Sequence, residues 1–247
     1  MIKKICFGIL ILSIALLTWE FIDHRLKAAF YQWQFDKLSR QKAVTSKKKI
    51  DAVLAQFEKV HFSKMEKEYL TYTKFNQKKY RKLAQTSHFL IVEGKDIFRY
   101  LVGEFRVKDF LPRDKDYYNN LEHLGSQQTI PWLIDKKLLY KLLELQNLLA
   151  ENGYNKAGFS IVNGYRHPAY NEAVGGASLS RHLKGQALDL QIKDINQDGK
   201  INQKDKTIVL DLLEKKVIGN QGGIGRYPGT MAVHFDVRGY RARWDAH

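Results

Sequence analysis

An α+β fold, with an antiparallel sheet carrying helices on one side and a helical region ahead of it, is predicted by three features of the 247-residue sequence. Ala187 to Ile192 and Val233 to Arg238 alternate apolar and polar residues with the period of a strand. Leu138, Leu139, Leu142, Leu143, Leu145, Leu148 and Leu149 mark an amphipathic helix that stops at Asn152-Gly153 in the manner of a C-cap. Ile50, Val53, Leu54 and Phe57 recur at helical spacing in the first half.

The chain begins with Lys3 and Lys4 followed by an apolar run from Ile5 to Trp19. A charged start before a hydrophobic segment directs export. No small-x-small cleavage site follows, and Trp19 and Phe21 suit a membrane interface. Residues 1–30 are therefore expected to form an uncleaved, single-pass signal anchor in the inner (cytoplasmic) membrane, with the rest on the periplasmic or extracytoplasmic side. Residues 31–85 hold no Pro or Gly and are rich in Lys, Gln, Phe and Tyr. They read as a basic helical stalk or cap, and residues 86–247 as the working domain. Phe89 to Val102, with Glu93-Gly94-Lys95-Asp96 in the middle, reads as a hairpin.

Hydrophobic residues make up 44% and aromatics 12%, enough to bury a core. The net charge of +15 favours polyanionic partners such as an anionic membrane or an acidic wall polymer. No zinc-finger, helix-turn-helix or RNA-binding signature accompanies it, so no nucleic-acid partner is expected. With a single cysteine, Cys6, a multi-thiolate metal site is excluded, and any zinc must rely on imidazole and carboxylate.

Such a donor set is available. Period two places His234 and Asp236 on one face of their strand, and Asp189 on the face opposite Leu188, Leu190 and Ile192. If the two strands are neighbours, one polar face carries all three, and His182 can reach in from the segment before flexible Gly185. Two imidazoles and a carboxylate suit Zn²⁺ with a position left for water. Arg166 would then face the negative charge that develops on an attacked carbonyl.

The segment Ser180 to Asp189 matches Ser-x-His-x-x-Gly-x-Ala-x-Asp in full. Gly164-Tyr165-Arg166, Asn171, Val174-Gly175-Gly176-Ala177, Gly222-Gly223-Ile224-Gly225-Arg226-Tyr227-Pro228, His234-Phe235-Asp236 and Arg241 to Trp244 accompany it in order. In these motifs residues 130–247 resemble the zinc D-Ala-D-Ala carboxypeptidase family, which shares its fold with the Hedgehog signalling domain, and within it the murein endopeptidase type. The resemblance implies that His182, Asp189 and His234 bind zinc, that Arg166 stabilises the oxyanion or a substrate carboxylate, and that Ser180 and Tyr227 contact substrate. It implies hydrolysis of peptide bonds in peptidoglycan stem peptides or cross-links, with D,D-carboxypeptidase activity as the alternative. Relatives carry a Glu or His just before the last ligand, where Gly229-Thr230-Met231-Ala232 has no titratable group. Asp236 is then the favoured base, with His167 or an activated water needing no base as alternatives. That departure also motivates a third reading, a wall-binding module without catalysis.

Directly after the Asp189 strand, residues 194–205 place Asp194, Asn196, Asp198 and Asp205 at positions 1, 3, 5 and 12, with Gly199 at 6. This fits half of an EF-hand, of the dockerin type, in which Lys200 lends its carbonyl and Ile201 faces inward. A structural Ca²⁺ is expected there.

Overall fold

The computed structural model describes residues 42–114 and 129–245. The expected anchor, residues 1–30, and residues 31–41 lie outside them. Among the described residues no helix is long and apolar enough to cross a membrane.

The fold is α+β, as expected. Its main sheet has five strands in the order β10-β8-β9-β7-β6, where β6 is Phe159–Asn163, β7 Ala187–Ile192, β8 Gly223–Arg226, β9 Ala232–Asp236 and β10 Ala242–Asp245. All neighbours are antiparallel except β10, which runs parallel to β8, so the sheet is mixed at one edge. Leu188, Leu190, Ile192, Val233 and Phe235 are buried on the apolar face that their alternation predicts. The leucines of α4, Lys136–Glu151, join the same core together with Val209 of α6, Gln203–Leu212, and Leu213 of the π-turn after it. Asp135 caps α4 by accepting from Lys137 N, and Gly153 takes a positive φ of 76° just past its C-cap, Asn152.

The first half departs from the expected stalk. Its described part, 42–85, holds the helices α1, Lys47–Leu54, α2, Lys67–Tyr72, and α3, Lys78–Gln85, but also a strand, β1, Glu58–His61. That strand pairs with β2, His88–Val92, which pairs in turn with β5, Ile130–Trp132, in a second antiparallel sheet. Aromatic side chains explain why the segment does not stand apart: Phe57 meets Trp132 edge-on with ring centroids 6.1 Å apart, and Phe75 meets Phe89 at 5.4 Å. Ile50, Phe75 and Ala84 are fully enclosed in the common core.

The expected hairpin over 89–102 does not form. Both edges of β2 are occupied, by β1 and β5, and the chain beyond it enters a 3₁₀ stretch, Gly94–Phe98. β3, Tyr100–Val102, pairs instead with β4, Phe105–Arg106. A seam joins the first half to the half that carries the five-stranded sheet. Ala169 N donates to Thr73 O at 3.1 Å, and Glu172 of α5, Pro168–Ala173, receives Lys74, Lys79 and the Tyr80 hydroxyl.

Candidate metal centre

β7 and β9 are antiparallel neighbours in the register that sets Asp189 directly opposite His234. The row continues across the sheet as Asn163, Asp189, His234, Gly225 and Trp244. Asn163 reaches this row because β6 and β7 shift register between Ile161 and Asn163. The extra residue re-aims the end of β6, so that an amide faces Asp189 where Val162 would otherwise stand.

His182 arrives on a 3₁₀ turn, Arg181–Lys184, whose N-cap Ser180 accepts from His182 N at 3.3 Å. The turn ends on Gly185 at a φ of 62°, where a Cβ would lie 2.2 Å from Leu133 O. Only glycine fits so close to that backbone. His182 Nδ1 donates to the Gly164 carbonyl at 2.6 Å, which fixes the tautomer and turns Nε2 toward the other two residues.

Three donor atoms then converge. His182 Nε2 lies 3.3 Å from His234 Nδ1 and 3.3 Å from Asp189 Oδ1, and the latter two are 2.7 Å apart. A tetrahedral zinc with bonds of about 2.0–2.1 Å requires donors separated by about 3.3 Å, so a small outward relaxation of one contact accommodates it. The residues fit the ion. All three are buried, and among the described residues this is the one His/Cys/Asp/Glu group whose ligand atoms come together.

The electrostatics match that role. Burial opposes ionisation of Asp189, but His182 and His234 overcome it and hold the carboxyl well below the usual carboxylate range. Burial pushes His182 down, keeping a lone pair on the ring. His234 also suffers burial, yet its contacts with Asp189 and Asp236 raise it.

Partners outside the ligand set orient it, and here several expected roles change. Arg166 Nη2 donates to Asp189 Oδ2 at 2.6 Å and Asn163 Nδ2 donates to the same oxygen at 3.2 Å, so Asp189 presents Oδ1 inward and rests on Oδ2. Arg166 is thus committed first to the carboxylate, and the oxyanion role is left to the rest of its fork; its Nε is buried without a partner. Asp236, expected as the base, is fully enclosed, and Arg238 grips both its oxygens while Gly223 N donates to Oδ1 at 3.0 Å. Burial alone would raise Asp236, but His234 and Arg238 drive it far down, which leaves a carboxylate too weakly basic to take up a proton near neutral pH. Its geometry is that of an acceptor 3.3 Å from His234 Nε2, orienting the ring. His167 is occupied too: Nδ1 accepts from Tyr170 N at 3.1 Å and Nε2 meets Asp114 Oδ2 at 2.5 Å. Ser180 Oγ serves the turn that carries His182. Tyr227 is half-buried and stands close enough to Asp189 and Arg166 to feel both; burial first, then Asp189, pushes its hydroxyl up to about 12.

Several contributors had no role assigned from the sequence. Asn163 depends on a bulge, which no periodicity reveals. Gly223 and Gly225 alternate on the site face of β8 and leave room for larger neighbours: a Cβ on Gly225 would lie 2.8 Å from Trp244, whose indole sits 5.0 Å from the His234 ring. Lys206, buried at the start of α6, donates to the carbonyls of Tyr227 and Thr230, both at 2.7 Å, and so pins the loop that carries Tyr227. The alternating glycines were the legible signal.

Residues 194–205 form a tight loop that leads into α6, as expected, but its carboxylates serve its own backbone. Asp205 accepts from Ile195 N, Asn196 N and Asn202 N, Asp194 from Asp198 N and Gly199 N, and Asp198 from Lys200 N. Asn196 adds a contact to Asp198 at 3.1 Å. Ile201, expected to face inward, is 58% exposed; Ile195 is the enclosed apolar residue instead. The calcium expectation gains no support, because Asp194, Asp198 and Asp205 do not gather as a ligand group.

Residues 126–236, just under half of the chain, match the model of the Peptidase M15 family. That stretch contains all three converging ligands, and the match points to a metallopeptidase. No curated protein and no solved structure matches the chain significantly.

Proposed function

We propose that this protein is a zinc-dependent peptidase that hydrolyses peptide bonds in bacterial peptidoglycan, acting on cross-links as an endopeptidase. The observation that carries the reading is the convergence of His182 Nε2, Asp189 Oδ1 and His234 Nδ1 inside the stretch that matches a peptidase family. When bound, zinc supplies a Lewis acid for the scissile carbonyl and lowers the pKa of a water.

The chain's own residues prepare that chemistry. Arg166 and Asn163 hold Asp189 ionised and aimed; the Gly164 carbonyl and Asp236 select which nitrogen of His182 and of His234 faces inward. Donors of Arg166 not spent on Asp189 are placed to meet an oxyanion. Tyr227, held by Lys206 through its backbone, and Ser180 border the site and contact the peptide. The anchor of residues 1–30 would keep this activity at the cytoplasmic membrane, facing the wall.

The test is incubation of zinc-loaded protein with cross-linked muropeptides, with and without chelator, followed by product analysis. Chelator-sensitive loss of cross-linked species is expected; release of terminal D-Ala alone would make the protein a D,D-carboxypeptidase. A second reading is favoured by one observation, the commitment of both Asp236 and His167 to fixed partners. A non-catalytic wall-binding module would be retained on sacculi and yield no product, and that outcome would sink the enzyme.

A further inference from the structure

A continuous ladder of cations and aromatic rings leads from the His234 ligand to the surface. The His234 ring lies tilted against Trp244 with centroids 5.0 Å apart; Arg238 lies over Trp244 at 5.0 Å and over Tyr240 at 5.7 Å; Arg181 lies over the same Tyr240 ring at 5.7 Å. The outer end is open, since Tyr240 is 56% exposed. Arg181 immediately precedes His182, so the ladder joins the turn that delivers one ligand to the strand edge beside another.

The two arginines differ in one respect. Arg238 is neutralised by Asp236 through Nε and Nη2. Among the described residues Arg181 makes one side-chain hydrogen bond, Nη2 to the Tyr240 hydroxyl at 3.1 Å, and has no acidic partner. A guanidinium carries five N–H donors in a planar fork matched to a carboxylate. Stacking on Tyr240 holds that fork in place, which lowers the ordering cost of binding. Arg166, a third arginine near the ligands, spends Nη2 on Asp189.

We infer that Arg181, braced by Tyr240, forms a carboxylate-binding subsite on the rim of the metal centre and recognises a free carboxylate of the peptide substrate. The inference rests on the peptidase reading for the identity of the substrate. A C-terminal carboxylate and an acidic side chain offer the same group, and three small probes separate them: N-acetyl-D-alanine, its C-terminal amide, and the α-amide of N-acetyl-D-glutamate. None has a peptide bond between two residues, so binding is read apart from turnover.

Zinc-loaded, full-length protein is titrated with each probe by NMR. At least one of the two acids should bind about tenfold tighter than the neutral amide, and whichever does names the source. Arg181→Gln should reduce that preference to less than twofold with zinc content unchanged. Tyr240→Phe, which removes one hydroxyl and keeps the fold intact, should weaken it two- to threefold. No preference in the wild type, or a preference that survives Arg181→Gln because the acid binds elsewhere, overturns the subsite. Absence of muropeptide cleavage with the preference intact would overturn the peptidase reading alone.

Discussion

Two segments that meet at the same strand both carry candidate metal ligands, and they behave in opposite ways. Ahead of and within β7, His182 and Asp189 present atoms to a common point, while the Gly164 carbonyl holds the far N–H of His182 and two side chains donate to the outer oxygen of Asp189. Just after β7, Asp194, Asp198 and Asp205 are close in sequence and carry a metal-loop spacing, yet their oxygens accept from N–H groups of the loop itself, backbone ones and the Asn196 amide. The difference lies in what supports each group. At the metal centre Asp189 Oδ2 leans on Arg166 and Asn163, so Oδ1 is left to face inward. In the loop Asp205 spends Oδ1 on Ile195 N and Asn196 N and Oδ2 on Asn202 N. Spacing decides which donors are near; the outer partners decide whether they are available.

Removing a ligand should therefore have the largest effect, and it should fall on one segment alone. Asp189→Ala is expected to abolish stoichiometric zinc binding and bring peptidase activity to background, while Asp194→Ala leaves both intact; metal analysis and muropeptide assays check this. A comparable zinc loss in Asp194→Ala would erase the distinction between the two segments.

Next in size are the supports. Asn163→Ala and Asp236→Ala leave every ligand in place, yet each should lower zinc affinity by about 10–100-fold, as loss of orienting partners typically does. Competition with a chromogenic chelator gives the number. If both variants bind zinc like the wild type, orientation is not what sets the centre apart from the loop.

The loop offers the converse experiment. Asp205→Asn keeps the size but replaces one acceptor oxygen with an amide that faces N–H donors. The cost is expected at about 1–3 kcal/mol of stability, a fall of roughly 2–12 °C in Tm for a chain of this size, with zinc content unchanged. A Tm that rises with millimolar calcium in the wild type and not in Asp194→Asn would show instead that the loop's oxygens can turn toward an ion.

The same contrast explains what could be read in the sequence. His182, Asp189 and His234 were legible because a period of two fixes which strand residues share a face, and a glycine after His182 marks the turn that delivers it. Their supports were not. Asn163 reaches Asp189 through a one-residue register shift, and Arg238 reaches Asp236 across Gly223, which depends on β8 lying beside β9. Asp236 looked like a base because its place on the face was visible and its clamp was not. β1 escaped notice because four residues, Glu58 to His61, are too few to display a period, and the aromatic anchors that draw 42–85 into the core act only once β2 and β5 are in place. Ile201 was placed by analogy with a loop whose helix-entering half is absent here, and Ile195 fills the core position instead.

The smallest effect should come from a third carboxylate, which sharpens the contrast because cations hold it at the surface with no metal-binding partner nearby. Glu172 accepts from Lys74 Nζ at 2.6 Å, Lys79 Nζ at 2.5 Å and the Tyr80 hydroxyl at 2.8 Å, across the seam between the two halves. These bonds, Lys74 first, pull its carboxyl down to about 2 from an ordinary 4.5. A carboxyl that is more acidic folded than unfolded stabilises the fold above its unfolded pKa. That contribution is complete above about pH 4.5 and drains away as pH falls toward 2. Solvent screens much of it, because the lysines are largely exposed. Glu172→Gln should thus lower Tm slightly at pH 7, and its difference from the wild type should shrink steadily between pH 4.5 and 2, with zinc affinity at pH 7 unaltered. A difference that stays constant across that range would mean that the seam is held by shape and not by charge.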